Sequence, residues 1–422
     1  MTTLDAPDIL KQADAREGNC VASPRPTTMK RIYLDHNATT PVDPEVLEAM
    51  LPWFSERFGN ASSIHSAGQE ARSAVERARA SVAELLNARP AEIVFTSGGT
   101  EADNLAILGI IAAERSVRKH IITSQIEHHA VLNAFQKLEA EGVDVTYLPV
   151  DSEGKVDPGD LRCALRPETI LISIMHANNE LGTIEPIEEI GGIAADADVW
   201  FHTDAVQSAG KIPIDVNLLG ADLLSISAHK IYGPKGVGAL YVRAGVPLEP
   251  ILFGGHHERD RRPGTENVAG IVGLGKAAAM AKQNQTTDAA CISRLRDRLE
   301  QGLLEAIPLT RVNGSRSSRV PNTANLSFSS AEGEALVVAL DLRGIACSTG
   351  AACSSGAIEP SHVLTAIGLS PADARTSLRF SMGRHTTEQE IDYALEVIPG
   401  VVEHLRSLSP SWQPTASARS VS

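Results

Sequence analysis

Ser227-Ala228-His229-Lys230-Ile231-Tyr232-Gly233-Pro234-Lys235-Gly236 follows directly on an apolar run, Ala221-Asp222-Leu223-Leu224-Ser225-Ile226. The run reads as a buried strand. It stops at a His-Lys pair, and Gly233, Pro234 and Gly236 then break the chain. Lys230 is thus placed at a strand end, in a turn that cannot continue as helix. A protonated lysine is a poor nucleophile. Partial burial and a nearby positive charge free the amine for Schiff-base chemistry. The plainer reading is a surface lysine that happens to follow a strand, and the rest of the chain has to decide between the two.

Moving outward, strands and helices alternate. Glu92–Thr96, His120–Ser124, Val143–Val150, Thr169–Met175, Val199–Thr203 and Gly238–Val242 read as strands. Ser66–Asn87 has apolar residues on one face and reads as a helix. Further helices are expected at 104–114, from Ala130, at Asp157-Pro158 and from Ile187. Thr169-Ile170-Leu171-Ile172-Ser173-Ile174-Met175 is apolar without alternation, as in a sheet covered on both faces. This order predicts an open, mainly parallel α/β sheet with its site along the carboxyl edge.

Polar groups gather at that edge. Ser97-Gly98-Gly99-Thr100-Glu101 follows a strand and opens a helix, an arrangement that offers backbone N–H groups to an anion. A plain tight turn is the alternative, and no G-x-G-x-x-G fingerprint is present. His128 stands at a strand end, where an imidazole can stack on an aromatic cofactor, cap a helix or bind metal. Metal fits poorly, because adjacent histidines diverge and no third ligand has suitable spacing. Asp204 can pair with a protonated ring nitrogen or cap a helix.

Two helices, at 267–283 and 288–306, are expected around a polar linker at Gln283–Thr287, with the domain change in that linker. A smaller α+β domain follows, with a strand at Thr323–Phe328 and a helix at Glu332–Leu342. Ser348–Gly356 is a run of tiny residues around Cys353, read as a mobile loop with an accessible thiol rather than a linker burying one. Arg379 lies among apolar residues in Ser377–Ser381, a costly place unless it meets a carboxylate, from a ligand or from a structural ion pair. A C-terminal helix from Thr387 is expected to be interrupted at Pro399. The expected boundaries are a flexible extension at 1–28, a segment packing with the small domain at 29–43, a large domain at 44–282, a small domain at 283–408 and a flexible tail at 409–422.

The 422-residue chain has a net charge of −14, which argues against nucleic-acid binding. No apolar run approaches a membrane span and no signal core opens the chain, so no membrane association is expected. The five cysteines are scattered and odd in number, which suits a reducing cytoplasm.

Eight stretches occur in an order that resembles the NifS/IscS-type cysteine desulfurases, pyridoxal-phosphate enzymes of the class V aminotransferase family. They are Tyr33–Pro41, Thr96–Glu101, Glu127–Leu132, His176–Glu180, Asp204–Gln207, Ser227–Lys230, Arg262–Glu266 and Ser348–Pro360. The resemblance covers roughly residues 30–405 and implies a fold-type I architecture: a large domain with a mainly parallel seven-stranded sheet, and a smaller α+β domain. It implies Lys230 as Schiff-base lysine, Asp204 on the pyridinium nitrogen, Gln207 on the ring hydroxyl and His128 stacked on the ring. Gly99, Thr100, Ser227 and His229 would hold the phosphate, with Thr265 supplied across a homodimer interface. Asn179 would sit near ring and substrate, and Arg379 would bind the carboxylate of L-cysteine. The implied reaction releases alanine and leaves a persulfide on Cys353, for delivery to an iron–sulfur scaffold or another acceptor protein. No dedicated metal site is implied, only a transient meeting of Cys353 with a cluster. Cys347, six residues before Cys353, reads as a spectator thiol, with a persulfide acceptor as the alternative.

The loop reads Ser-Thr-Gly-Ala-Ala-Cys where Ser-Ser-Gly-Ser-Ala-Cys is commoner, and Gly99 stands where Ala is common. The branch with an Arg-x-Gly-x-x-Cys loop does not fit. Selenocysteine lyase and aminotransferase activity on the same fold are the alternatives; an aminotransferase would not need Cys353.

Overall fold

The computed structural model describes residues 31–350, 360–409 and Trp412. Its strands, in chain order, are β1 (Ile32–Tyr33), β2 (Ile93–Thr96), β3 (His120–Ser124), β4 (Asp144–Leu148), β5 (Thr169–Ser173), β6 (Trp200–Asp204), β7 (Leu223–Ser227), β8 (Gly238–Val242), β9 (Thr310–Asn313), β10 (Thr323–Phe328), β11 (Ile345–Ala346) and β12 (Ser377–Ser381). Seven of them form one sheet in the order β2-β8-β7-β6-β5-β3-β4. Strands β3 to β7 pair in parallel, and β8 runs antiparallel to both its neighbours.

The unbroken apolar runs are explained by the two faces of this sheet. Ile122, Ile172 and Leu224 enter one core cluster, while their chain neighbours Ile121, Leu171 and Leu223 enter another on the opposite face. Successive side chains of a strand point to opposite faces, so a sheet covered on both sides needs apolar residues at every position.

A smaller unit has the three-stranded antiparallel sheet β12-β10-β9. Strand β1 pairs in parallel with β11, and Ile32 and Leu34 are buried in the small unit's core. The N-terminal segment therefore belongs physically to the C-terminal part of the chain.

Two sequence expectations need correction. Residues 267–306 do not form two helices: Val268–Ala306 is a single helix of 39 residues that passes straight through Gln283–Thr287. That stretch contains neither Gly nor Pro, so its polarity records exposure between two buried ends rather than a break. Leu274 and Ala278 pack in the large core, and Leu295 and Leu299 in the small one. Pro399 does not interrupt its helix either, which runs Glu388–Leu408. A proline removes one N–H donor, but its fixed φ is itself helical. Strand β9 was not foreseen. The expectations for 1–28 and for Cys353 lie outside the described residues. Among the described residues no helix is long and apolar enough to cross a membrane.

Gly238 shows how tightly the sheet backs the glycine turn. A Cβ there would come within 2.7 Å of both the Gly98 carbonyl carbon and the Ile226 carbonyl oxygen. Backbone cannot retreat as a side chain can. Gly238→Ala is therefore expected to lower the unfolding free energy by about 1–3 kcal/mol in urea denaturation; unchanged stability would contradict this packing.

Candidate active site

The carboxyl ends of β2, β6 and β7 converge on a cavity of about 350 Å³. Lys230, Gly99, Thr100, His128, Asn179, Asp204, Gln207, Ser227, His229 and Arg379 all line it. These sequence candidates come from segments spread over 280 residues of chain, and the fold brings them to one place. Thr265 is exposed and does not line the cavity within this chain. Cys353 lies outside the described residues, but Gly350, three positions before it, lines the cavity.

Lys230 ends a short 3-10 turn directly after β7. Its Nζ donates to the carbonyl oxygens of Asn37 and, at 2.9 Å, Ala38. A lysine so held lies on the cavity wall, beside Asp204 and Gln207.

One end of the cavity is built for an anion. The helix Gly99–Ala113 begins directly behind the glycine turn, earlier than the sequence suggested. Its first-turn N–H groups have no partners within the helix, and its dipole adds positive character. A Cβ on Gly99 would meet Val206 Cγ2 at 2.8 Å, so glycine keeps this approach open. A second opening of about 400 Å³ adjoins it, lined by Gly98, Gly99, Thr100, Ser227, His229 and Lys235 among others. The nearby Glu101 carboxylate is neutralised by Arg262 at 2.8 Å.

The floor carries a buried acid. Asp204 accepts the Val206 N–H at 2.9 Å. Burial pushes its carboxyl up to about 6, against the opposing pull of that N–H and of Lys230. Asp103 lines the same cavity, and sequence reading missed it because it sits among Thr100, Glu101 and Asn104 at a helix start, where an acid reads as exposed. Burial and the Asp204 charge hold Asp103 well above the usual carboxylate range, and its Oδ1 has no hydrogen-bond partner. His202 stands 3.6 Å from that oxygen, fixed between Ser173 and Ser225, and burial keeps it neutral, down to about 3. A protonated ring nitrogen is the complement that such a pair of buried acids lacks.

His128 caps the helix His129–Ala140, its Nδ1 accepting the Ala130 N–H at 3.1 Å. Burial, then the charge of Lys230, bring its pKa down to about 4. The cap and a cavity-facing ring coexist in one residue: the cap fixes the neutral tautomer and orients the ring. At the opposite end, Arg379 is 3% exposed. Its Nη2 donates to Asp35 at 2.7 Å and its Nη1 to the Asn179 carbonyl at 3.0 Å. Its Nε has no partner, so one donor of the fork is unspent. The structural ion pair and a carboxylate-binding role are thus both open to it.

Cys347 is buried in the small core, with its thiol pushed up to about 12. An un-ionised, enclosed thiol is a poor nucleophile. The described residues flanking 351–359 meet at Glu180: Ser361 Oγ donates to its Oε2 at 2.6 Å, and a Cβ on Gly350 would lie 2.8 Å from the same oxygen.

Taken together, the glycine cradle, the helix N-terminus, the uncompensated acids and the carbonyl-held lysine fit a phosphorylated, cationic aromatic aldehyde such as pyridoxal phosphate. Comparison with known proteins shows the family. The family model for the class-V aminotransferases matches residues 32–394. A cysteine desulfurase IscS of Dictyoglomus turgidum is 53% identical over 383 residues, which is 90% of this chain and 97% of the relative. Among solved structures, a NifS-like protein superposes with a TM-score of 0.84 at 39% identity, covering 89% of this chain and 100% of that one. A structure of SspA in complex with cysteine has a TM-score of 0.73 at 41% identity, covering 84% of this chain and 100% of that one. The chain belongs to the class-V aminotransferase family, within its branch of IscS- and NifS-type cysteine desulfurases.

Proposed function

We propose that this chain is a pyridoxal-phosphate-dependent cysteine desulfurase, converting L-cysteine to L-alanine and passing the sulfur to Cys353. The observation that carries this reading is the convergence of Lys230, Asp204, the Gly99–Thr100 helix start and Arg379 on one cavity. When bound, pyridoxal phosphate supplies an electron sink that makes the substrate α-proton and the Cβ–S bond labile.

The residues divide the remaining work. Gly99, Thr100, Ser227 and His229 would hold the phosphate, with Thr265 of the partner subunit in a homodimer. Asp204 would keep the ring nitrogen protonated, Gln207 would donate to the ring oxygen, and neutral His128 would cover the ring face. Arg379 and Asn179 fix the substrate carboxylate, which leaves the α-hydrogen to Lys230. Lys230 takes that proton. The Cys353 thiolate attacks the substrate sulfur. The Cβ–S bond breaks, its electron pair goes to Cβ and is protonated there, and an S–S bond forms. Cysteine plus thiol thus becomes alanine plus persulfide, with no outside oxidant. The terminal sulfur then passes to an iron–sulfur scaffold or other acceptor protein, in a reducing cytoplasmic setting that keeps Cys353 a thiol.

Incubation of the cofactor-loaded protein with L-cysteine and a thiol reductant should release alanine and sulfide in equal amounts, and Cys353→Ser should abolish both. Full turnover by that variant would exclude Cys353 as acceptor and favour a lyase acting on cysteine or selenocysteine.

Asp204 yields a second expectation. Its folded-state value, about 6, lies above the ordinary 3.8. Its ionisation therefore costs stability, a cost that appears as pH rises from about 4 through 6 and is complete above it. Asp204→Asn should stabilise the cofactor-free protein at pH 7, by up to about 3 kcal/mol, while weakening pyridoxal phosphate binding at least tenfold. Loss of both stability and binding would contradict this role.

A further inference from the structure

Lys211 was not singled out in the sequence, and the reaction above gives it no part. It is a half-buried lysine four residues after Gln207. Its Nζ donates to Gln207 Oε1 at 2.7 Å and to Asn37 Oδ1 at 3.3 Å. Gln207 Nε2 in turn donates to the Asn37 carbonyl at 2.9 Å. Among the described residues no carboxylate lies within ion-pair distance of Lys211. Burial, and then the charges of Lys230 and Arg379, hold its amine well below the usual lysine range. A lysine kept beside two other cations is an expensive feature unless its donors are needed there.

We propose that Lys211 is a positioning residue: it fixes the Gln207 amide with its oxygen committed away from the cofactor and its second N–H available to the cofactor's ring oxygen. This deepens the function proposed above and rests on the cofactor reading. The argument is one of donors and acceptors. A glutamine amide can present either its oxygen or its nitrogen to a ligand, and the two ends have nearly the same shape. A ring oxygen bearing negative charge accepts only from the nitrogen end. An ammonium group has three donors and no acceptor, so it accepts no bond from an NH₂ group. Rotating the Gln207 amide by half a turn would set its NH₂ against Lys211 and its oxygen against the Asn37 carbonyl oxygen. Both hydrogen bonds would be lost at once. Gln207 lines the cavity, so the N–H left over after the Asn37 bond is the one that remains for a ligand. Asn37 Oδ1 is itself held facing Lys211, because Asn322 Nδ2 donates to it at 2.9 Å.

Lys211 also lies on the small cavity that opens behind Lys230, together with His36, Asp288 and Arg384. The charged or titratable groups that act on its amine or share this cavity are Lys230, Arg379, His36, Tyr232, Arg384 and Asp288, with cations in the majority. A through-space effect of its charge on the cofactor is the competing account, and the two separate experimentally.

The test uses the full chain and pyridoxal phosphate, with Lys211→Met made in the parent and in a Gln207→Ala background. Two quantities are read: the dissociation constant for pyridoxal phosphate, and the pH midpoint of the bound cofactor's visible absorption change. If Lys211 acts through Gln207, Lys211→Met weakens binding about tenfold and raises the midpoint, and both effects vanish in the Gln207→Ala background. Equal binding and an unmoved midpoint in Lys211→Met would overturn the proposal. So would a loss of the same size in both backgrounds, which is the signature of charge acting through space. If the Met variant does not fold, Lys211→Gln carries the same comparison, with a smaller loss expected because one donor is retained but orientation is no longer enforced. A parent protein that shows no visible cofactor band at all would instead remove the cofactor reading on which the proposal stands.

Discussion

Asn37 is the residue on which the rest of the site depends. It is 1% exposed and uses every polar group it has. Its backbone N–H donates to Ser381 Oγ in β12, and its carbonyl accepts from Lys230 and Gln207 of the large sheet. Its side chain donates to the Asn179 carbonyl and to Thr323, and accepts from Asn322 and Lys211. One residue of the N-terminal segment thus ties the lysine turn, the substrate-side turn and the small sheet together. A buried network of this kind specifies a unique arrangement only when every member is satisfied, because an orphaned group there costs its full desolvation. The pairing of β1 with β11 is what delivers Asn37 to that point.

Around this hub the charges are balanced in a way that makes sense for a cationic, phosphorylated ligand. Asp204 and Asp103 line the cavity, both raised by burial. Lys230 and Arg379 line it too, Lys211 lies with Lys230 on the small cavity beside it, and the helix Gly99–Ala113 brings its N-terminus to the wall. The histidines nearby, His128, His176, His202 and His229, are all held neutral near pH 7, at about 4, 4, 3 and 4. Neutral imidazoles add no charge to the site, and His128 has its tautomer fixed by the Ala130 N–H that its Nδ1 accepts. The same burial that raises these acids makes the site selective for a ligand that neutralises them.

Much of this was legible in the sequence, and for physical reasons. A strand covered on both faces needs apolar residues at every position, so β3, β5 and β7 announced themselves, and the polar residues that end them marked the site. Gly99 and Lys230 were readable because turn chemistry is local. What local reasoning could not supply was the environment of lone polar residues. Asp103, next to Glu101 and Asn104 at a helix start, looks like an ordinary exposed acid until its burial is seen. Lys211 looks like a surface lysine until Gln207 and Asn37 are brought to it by the fold. The stretch Gln283–Thr287 was misread because polarity was taken as a break, when Val268–Ala306 is polar there only between the two cores it joins. The missing β9 is short and partly exposed, with no strong pattern of its own.

The most direct measurement is covalent mapping of the cofactor. Protein loaded with pyridoxal phosphate is reduced with borohydride and digested, and the modified peptide is identified by mass spectrometry. The account predicts a single pyridoxyl group on Lys230. A mark on Lys211 or Lys235 instead, or no marked lysine in protein that retains its fold, would contradict it.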